Sequence, residues 1–255
     1  MSLAEHGYGP NVHLIGDAWS ASAVARLSAP GAADPVFHAL LTRCFQRLFY
    51  AAAEWLPTVD VSVPTRMSEK HADVRLQARV LAPQQVVLVD LARAGMLPSH
   101  TLQAELLLLL DPLSVRVDHI YMQRTAGADG RVDGVATAGS KIGGSVAGTT
   151  LLLPDPMGAT GSSVSAALSM YKRTLGVPAR ILVLHLIVTP EYLARMAADH
   201  PEVHVFALRL DRGFSPPAVL ARPPGERWSE ERGLDEHDYI VPGAGGLGEL
   251  INNCY

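Results

Sequence analysis

Along this chain, continuous apolar runs alternate with stretches whose apolar positions recur every three or four residues. "QVVLVDL" (Gln85–Leu91) is a short β-branched run bounded by polar and small residues, the pattern of a buried strand. After a tight turn at Ala92–Gly95, "SHTLQAELLLLL" has helical spacing, with Ser99 placed as its N-cap. "VRVDHIYM" is a second strand and Thr149–Leu153 a third. Val164–Leu175 then reads as a helix. Its Val164, Leu168, Tyr171 and Leu175 share one face, and Gly176 stands where a glycine ends a helix. "RILVLHLIV" is a fourth strand. Thr189 and Pro190 open a further helix, His200-Pro201 closes it, and "VHVFALRL" is a fifth strand.

Strands alternating with helices predict an α/β fold with a mainly parallel central sheet flanked by helices, here as a single domain over residues 1–255. Ligands of such folds sit at the carboxyl ends of strands. The loops of interest are therefore Ala92–Gly95, Arg124 onward, Pro154–Ser163 and Asp211 onward. Two stretches break the rhythm. Residues 125–150 are rich in Gly, Ala, Ser and Thr and read as a flexible flap. Residues 214–232, "FSPPAVLARPPGERWSEER", read as an exposed insertion. Earlier in the chain, Phe37–Trp55 has helical spacing and "TVDVSV" is a candidate strand.

Composition narrows the function. With 48% hydrophobic and 18% charged residues, the chain is globular, and a net charge of -4 gives no general pull toward nucleic acid or anionic membranes. Cys44 and Cys254 are too few and too far apart for a disulfide framework or a metal cluster, so a reducing compartment is expected. No apolar run approaches the roughly 20 residues that span a bilayer, and no secretory signal is visible. A cytoplasmic protein is the expectation.

The stretch with the most chemistry is "LLLPDPMGATGSSVSAAL". A buried strand delivers Asp155 into a loop ending at Ser162-Ser163, where a helix begins. Helix-start N–H groups and the hydroxyls of Thr160, Ser162 and Ser163 would make a phosphate cup, and Gly158 and Gly161 would let main chain approach an anion. An acid at the strand end can hold ribose hydroxyls. An ordinary strand-to-helix turn fits the local spacing equally well. No lysine follows the glycines, so this is not a P-loop. "SMYK" at Ser169–Lys172 lies mid-helix without the partners of an S-x-x-K active site. His185, within an apolar strand, reads as a satisfied core histidine, and "DEHD" at Asp235–Asp238 as a solvated turn. By themselves, Arg93 reads as a surface turn arginine and Arg124 as an ion-pair partner. Gly243, Gly245 and Gly248 spell G-x-G-x-x-G, but too few residues follow for the ribose-binding acid of a dinucleotide fold.

Taken in order, four motifs resemble one family. "DPMGATGSS" resembles the phosphoribosyl diphosphate (PRPP) motif of type I phosphoribosyltransferases, in the uracil phosphoribosyltransferase form with Pro156 in place of a second acid. "LARAGM" resembles the family's R-A-G loop, "YMQRT" its M-Y-R segment, and "HDYIVPGAGGLGE" its C-terminal base-binding signature. The chain is identified as similar to the uracil phosphoribosyltransferase family from about Gln85 to its end. That resemblance implies the type I fold with a flap and a C-terminal base loop, and formation of UMP and diphosphate from uracil and PRPP. It implies catalytic and diphosphate-binding roles for Arg93 and Arg124, and a ribose-holding role for Asp155. It places PRPP against Pro156, Met157, Gly158, Ala159, Thr160, Gly161, Ser162 and Ser163. Uracil would lie on the backbone of Gly245, Gly246 and Leu247, with Tyr239 and Ile240 flanking the ring. Gly243 also gives the loop its reach. The resemblance further implies Mg²⁺ carried mainly by PRPP with no protein metal site, a homodimer or larger assembly, and GTP as an effector. Lys141 stands in the flap and by itself reads as a solvated lysine. One departure stands out: the family's G-D-A reads Gly245-Gly246-Leu247 here, so its aspartate is missing. That departure keeps two alternatives open, a PRPP- or UMP-binding regulator without catalysis and a transferase for another nucleobase.

Overall fold

The computed structural model describes residues 3–31, 35–126 and 132–252; for Pro35 and for residues 123–126 and 132–137 it describes backbone alone. Strand β1 (Val12–Leu14) leads to helix α1 (Ala18–Ser28), whose N-cap Asp17 accepts from the Ser20 amide, and then to helix α2 (Pro35–Ala53). Strands β2 (Thr58–Val63) and β3 (Leu76–Leu81) pair only with each other. Then come β4 (Val86–Ala92), α3 (Met96–Leu107), β5 (Val115–Ala126), β6 (Val132–Lys141), β7 (Thr150–Pro154) and the two-residue β8 (Met157–Gly158). Helix α4 (Ser162–Thr174), β9 (Arg180–Val188), α5 (Pro190–Asp199) and β10 (His204–Leu210) follow, with short helices α6 (Pro217–Leu220) and α7 (Leu247–Asn252) near the end.

The main sheet runs β1-β10-β9-β7-β4-β5-β6, every neighbour parallel except β5–β6. Pleating sends alternate side chains to opposite faces. Val86 and Leu88 join the core beneath α1, α2 and α3, while Val87, Val89 and Leu91 join the one beneath α4 and α5. Burial on both faces is why these strands read as unbroken apolar runs. Each Leu, Val or Ile fully removed from water there contributes about 1.5–3 kcal/mol.

The topology also locates the site. From β4 the chain moves to β5 on one side, whereas β7 leads to β9 and β10 on the other. Strand order therefore reverses between β4 and β7, which is where α/β sheets hold their ligands.

Several sequence expectations shift. Helix α3 begins at Met96, with Gly95 as N-cap and no side-chain cap; Ser99 is buried inside the helix, and Pro98 fits the first turn because no N–H is needed there. Much of the expected flap is strand β6, hydrogen-bonded to β5, and residues 127–131 of that stretch lie outside the described residues. "TVDVSV" is a strand, but it belongs to the separate two-stranded arm. Residues 214–232 are not a loose excursion. Glu231 is buried and pairs with Arg212 at 2.8 Å, it accepts from the Tyr8 hydroxyl, and Trp228 donates to the Pro190 carbonyl at 3.0 Å. No described helix is long and apolar enough to cross a membrane.

Candidate active site

Two loops meet at the reversal point. At the end of β4, the Ala92–Arg93 peptide is cis, and the chain turns through Arg93–Gly95 into α3. Gly95 is required here: a β-carbon on it would stand 2.8 Å from the Leu91 amide nitrogen. Arg93 is exposed, and no hydrogen bond or ion pair engages its guanidinium among the described residues. A cation so left is suited to an anionic ligand.

At the end of β7, Asp155, Pro156, β8 and Ala159–Gly161 lead into α4. The carbonyls of this loop are tied inward. Pro156 O accepts from the Leu186 amide at 3.0 Å and Gly158 O from the Thr189 amide at 3.1 Å. Ala159 O accepts from Thr189 Oγ1 at 2.6 Å and Thr160 O from Arg195 Nε at 2.7 Å. With the carbonyls turned in, the amides of Ala159, Thr160 and Gly161 have no partner among the described residues. Gly161 caps α4 at φ 77, with no side chain on the cap, and Thr160 Oγ1 and Ser162 Oγ lie 2.9 Å apart. The positive end of the α4 dipole, unpaired amides and two hydroxyls form an anion cup.

Asp155 is part-buried, and its Oδ1 accepts from the Met157 amide at 3.4 Å. Burial raises its carboxyl to about 7, opposed by that amide and reinforced by the nearby Asp90 charge. Asp90 is itself fully buried on β4, with Oδ2 2.6 Å from His119 Nδ1. Its carboxyl is also raised by burial, with His119 pulling the other way. Neither Asp90 nor His119 stands out in the sequence, because each lies inside a strand pattern; only the parallel register of β4 on β5 sets them opposite one another.

The C-terminal loop folds back over the same end of the sheet. Arg209 grips Asp211 at 2.7 Å through both oxygens and donates to Gly243 O at 2.7 Å, while the Gly243 amide donates to Asp211 Oδ2 at 2.8 Å. Gly243, at φ 64, has no room for a β-carbon, which would lie 2.2 Å from Ile240 O. The Val241–Pro242 peptide is cis. The glycines do open a helix, α7, whose Gly248 lies against Ala94 of the Arg93 turn and whose Asn252 donates to Arg93 O at 3.4 Å.

The expected residues fall as follows. Arg93, Asp155 through Ser163, and Gly245 to Leu247 all lie at this end of the sheet. The Leu247 side chain is buried in the core beneath α2, leaving its backbone for a ligand. Ile240 packs on that core, while Tyr239 is largely exposed. Arg124 is on β5 opposite Val135, and its side chain lies outside the described residues. Lys141 ends β6 and is exposed. Asp235 closes the "DEHD" turn by accepting from the His237 and Tyr239 amides. The Arg209–Asp211 clamp sits at the end of β10, where Asp211 opens one of the loops of interest, and the strand pattern carries no sign that the two side chains pair.

This geometry has counterparts. The chain is 27% identical over 241 residues to a protein named uracil phosphoribosyltransferase from Variovorax paradoxus, covering 94% of this chain and 97% of the relative. It is 32% identical over 215 residues to a protein of the same name from Myxococcus xanthus, covering 84% of each. The AQ2163 protein of Aquifex aeolicus shares the fold with a TM-score of 0.70 at 19% identity, over 94% of this chain and 97% of that one. Residues 28–225 match the profile of the family described as uracil phosphoribosyltransferase. An anion cup after one strand, a free arginine after its neighbour and a matching profile across most of the length lead to one conclusion: this chain belongs to the uracil phosphoribosyltransferase family.

Proposed function

We propose that the protein transfers the 5-phosphoribosyl group of PRPP to N1 of uracil, giving UMP and diphosphate. The observation that carries this reading is the pairing of the inward-tied Asp155–Ser163 loop with the unpartnered Arg93 across the β4/β7 reversal. The 5′-phosphate would sit on the amides of Ala159, Thr160 and Gly161 and the hydroxyls of Thr160, Ser162 and Ser163. Asp155 would accept from ribose hydroxyls. Arg93, with Arg124 from β5, would neutralise the departing diphosphate. As the C1–O bond to diphosphate breaks and the N1–C1 bond forms, positive charge develops on the sugar and the N1 proton leaves to solvent. Positioning and charge stabilisation supply most of such a barrier reduction.

No group of three or more His, Cys, Asp or Glu side chains able to hold a metal occurs among the described residues, and Pro156 occupies the place next to Asp155. Mg²⁺ would arrive with PRPP and offset leaving-group charge, with Asp155 the carboxylate nearest to it on this face of the site. The backbone of Gly245–Leu247 would read the base edge, with Tyr239 and Ile240 beside the ring.

Purified protein incubated with PRPP, Mg²⁺ and each nucleobase, read by diphosphate release and nucleotide identity, tests this. UMP supports the reading. A different nucleotide would replace it with a transferase for another base. PRPP binding without turnover would indicate a regulator, the reading that Gly246 favours. A homodimer or larger assembly, GTP as effector and a cytoplasmic location belong to the same proposal. The lone β2–β3 arm, exposing Val59, Val63, Leu76 and Val80, supports assembly because a solitary two-stranded ribbon is marginal in water. Sedimentation with and without GTP checks both.

A further inference from the structure

A buried chain of hydrogen bonds lies beneath the anion cup. His185 on β9 and Tyr192 in the first turn of α5 are both fully buried. His185 Nδ1 lies 2.6 Å from the Asp155 carbonyl oxygen, and its Nε2 lies 2.7 Å from the Tyr192 hydroxyl. A carbonyl can only accept, so Nδ1 carries the proton. Burial pushes the ring down to about 4 and keeps it neutral, so Nε2 is bare and the tyrosine must donate to it. The direction is thereby fixed: Tyr192 O–H to His185, and His185 N–H to Asp155 O.

The same tyrosine forms the floor of the cup. Its ring meets His185 edge-on at 4.6 Å and 74°. A β-carbon on Gly158 would stand 3.1 Å from the Tyr192 ring, and one on Gly161 3.2 Å from it. The amide of Tyr192 donates to Thr189 Oγ1, the hydroxyl that in turn holds Ala159 O. A histidine in this strand forfeits its hydration and returns it only through two satisfied ring nitrogens. An aliphatic residue would fill the strand pattern without that demand, so the position asks for a reason.

We propose that His185 and Tyr192 are positioning residues for PRPP: together they turn the Asp155 carbonyl inward and so aim its carboxylate and the following amides at the ribose and its phosphate. The inference rests on the phosphoribosyl-transfer reading above.

The test compares unmodified protein with His185→Leu, His185→Asn and Tyr192→Phe. It measures the KM of PRPP, kcat, PRPP affinity by calorimetry with Mg²⁺, and thermal stability. Leucine removes the donor, whereas an asparagine amide can restore it to Asp155 O. His185→Leu is expected to weaken PRPP binding about tenfold, the weight of one buried hydrogen bond, with the KM of the base unmoved. His185→Asn is expected to stay within about twofold of unmodified protein, and Tyr192→Phe to fall between the two. Equal behaviour of the leucine and asparagine variants, or lowered stability with an unchanged PRPP KM, would overturn the inference. If His185→Leu does not fold, Tyr192→Phe decides alone, since it keeps the ring and loses only the donor. Failure of unmodified protein to bind PRPP would sink the transferase reading and this inference with it; a PRPP-binding protein with unmoved variants sinks the inference only.

Discussion

The carboxylate of Glu249 lies folded over Gly246, its Oε2 only 1.5 Å from where a β-carbon on Gly246 would stand. The family's aspartate is missing at 246, yet an acid three residues later fills the vacated volume. It does so because α7 starts at Leu247, and one helical turn brings position 249 back over the residue before the helix.

Glu249→Ala is therefore expected to lower turnover about tenfold, the effect of losing one charged hydrogen bond to substrate. Adding Gly246→Asp to that variant should recover the loss. Gly246→Asp alone must displace Glu249, which is exposed and long, so melting should change little. UMP formation by the three variants checks this, and an unaffected Glu249→Ala protein removes the carboxylate from the mechanism.

Among the described residues the Arg93 guanidinium has no partner to satisfy, so its replacement should hurt function and spare the fold. Arg93→Ala and Arg124→Ala are each expected to reduce kcat/KM at least about tenfold, with unfolding free energy within about 0.5 kcal/mol for the exposed Arg93. Steady-state kinetics and denaturant titration decide it; unchanged turnover in both variants removes the diphosphate role.

Asp155 should leave a mark on pH dependence. Its folded carboxyl titrates at about 7, against roughly 4 when unfolded. Between those values the native state holds a proton that the unfolded chain has released. Its contribution is complete below about pH 4 and is lost as pH rises through about 7, on the order of a few kcal/mol in total. His185 and His13, each held down to about 4 by burial, act oppositely. Their contribution is present above about pH 6.5 and lost as pH falls through about 4. Between about pH 4 and 6.5 the two histidines outweigh the one carboxyl, so urea unfolding should show stability rising with pH, less steeply in unmodified protein than in Asp155→Asn. Because an ionised carboxylate accepts more strongly from ribose hydroxyls than a protonated one and also favours positive charge on the sugar, kcat/KM for PRPP should rise with pH through about 7.

The 214–232 segment should behave as part of the core structure. Glu231 is fully buried, Arg212 is half-buried, and the Gly225 amide also donates to Glu231 at 2.9 Å. Glu231→Ala removes the carboxylate from a half-buried guanidinium and leaves the Tyr8 hydroxyl and the Gly225 amide without their acceptor, and is expected to destabilise the protein by about 3 kcal/mol. Denaturation of the variant measures it, and a loss below about 1 kcal/mol would mean the segment is dispensable for folding.

Much of the architecture was legible in the chain itself. Val86–Leu91, Arg180–Val188 and His204–Leu210 announce buried parallel strands because both faces of each are apolar, and Thr189-Pro190 marks a helix start through local hydrogen bonding and a fixed φ. Strand–helix alternation puts the loops that carry "LARAGM" and "DPMGATGSS" at the carboxyl ends of strands, and β4 and β7 do lead into them there. These are short-range properties, set by alternation, by helical period and by the few residues of a turn.

What only the tertiary structure decided is which distant groups satisfy one another. Asp90 meets His119 through strand register, His185 meets Asp155 across neighbouring strands, and Arg209 and Asp211 meet Gly243 where the chain returns after a long insertion. A buried polar atom must find a partner wherever the fold brings one, and sequence spacing carries no record of partners separated by 29 residues or more. At shorter range, a glycine at 246 reads in the sequence as a lost acid, and only the first turn of α7 brings the Glu249 carboxylate over it.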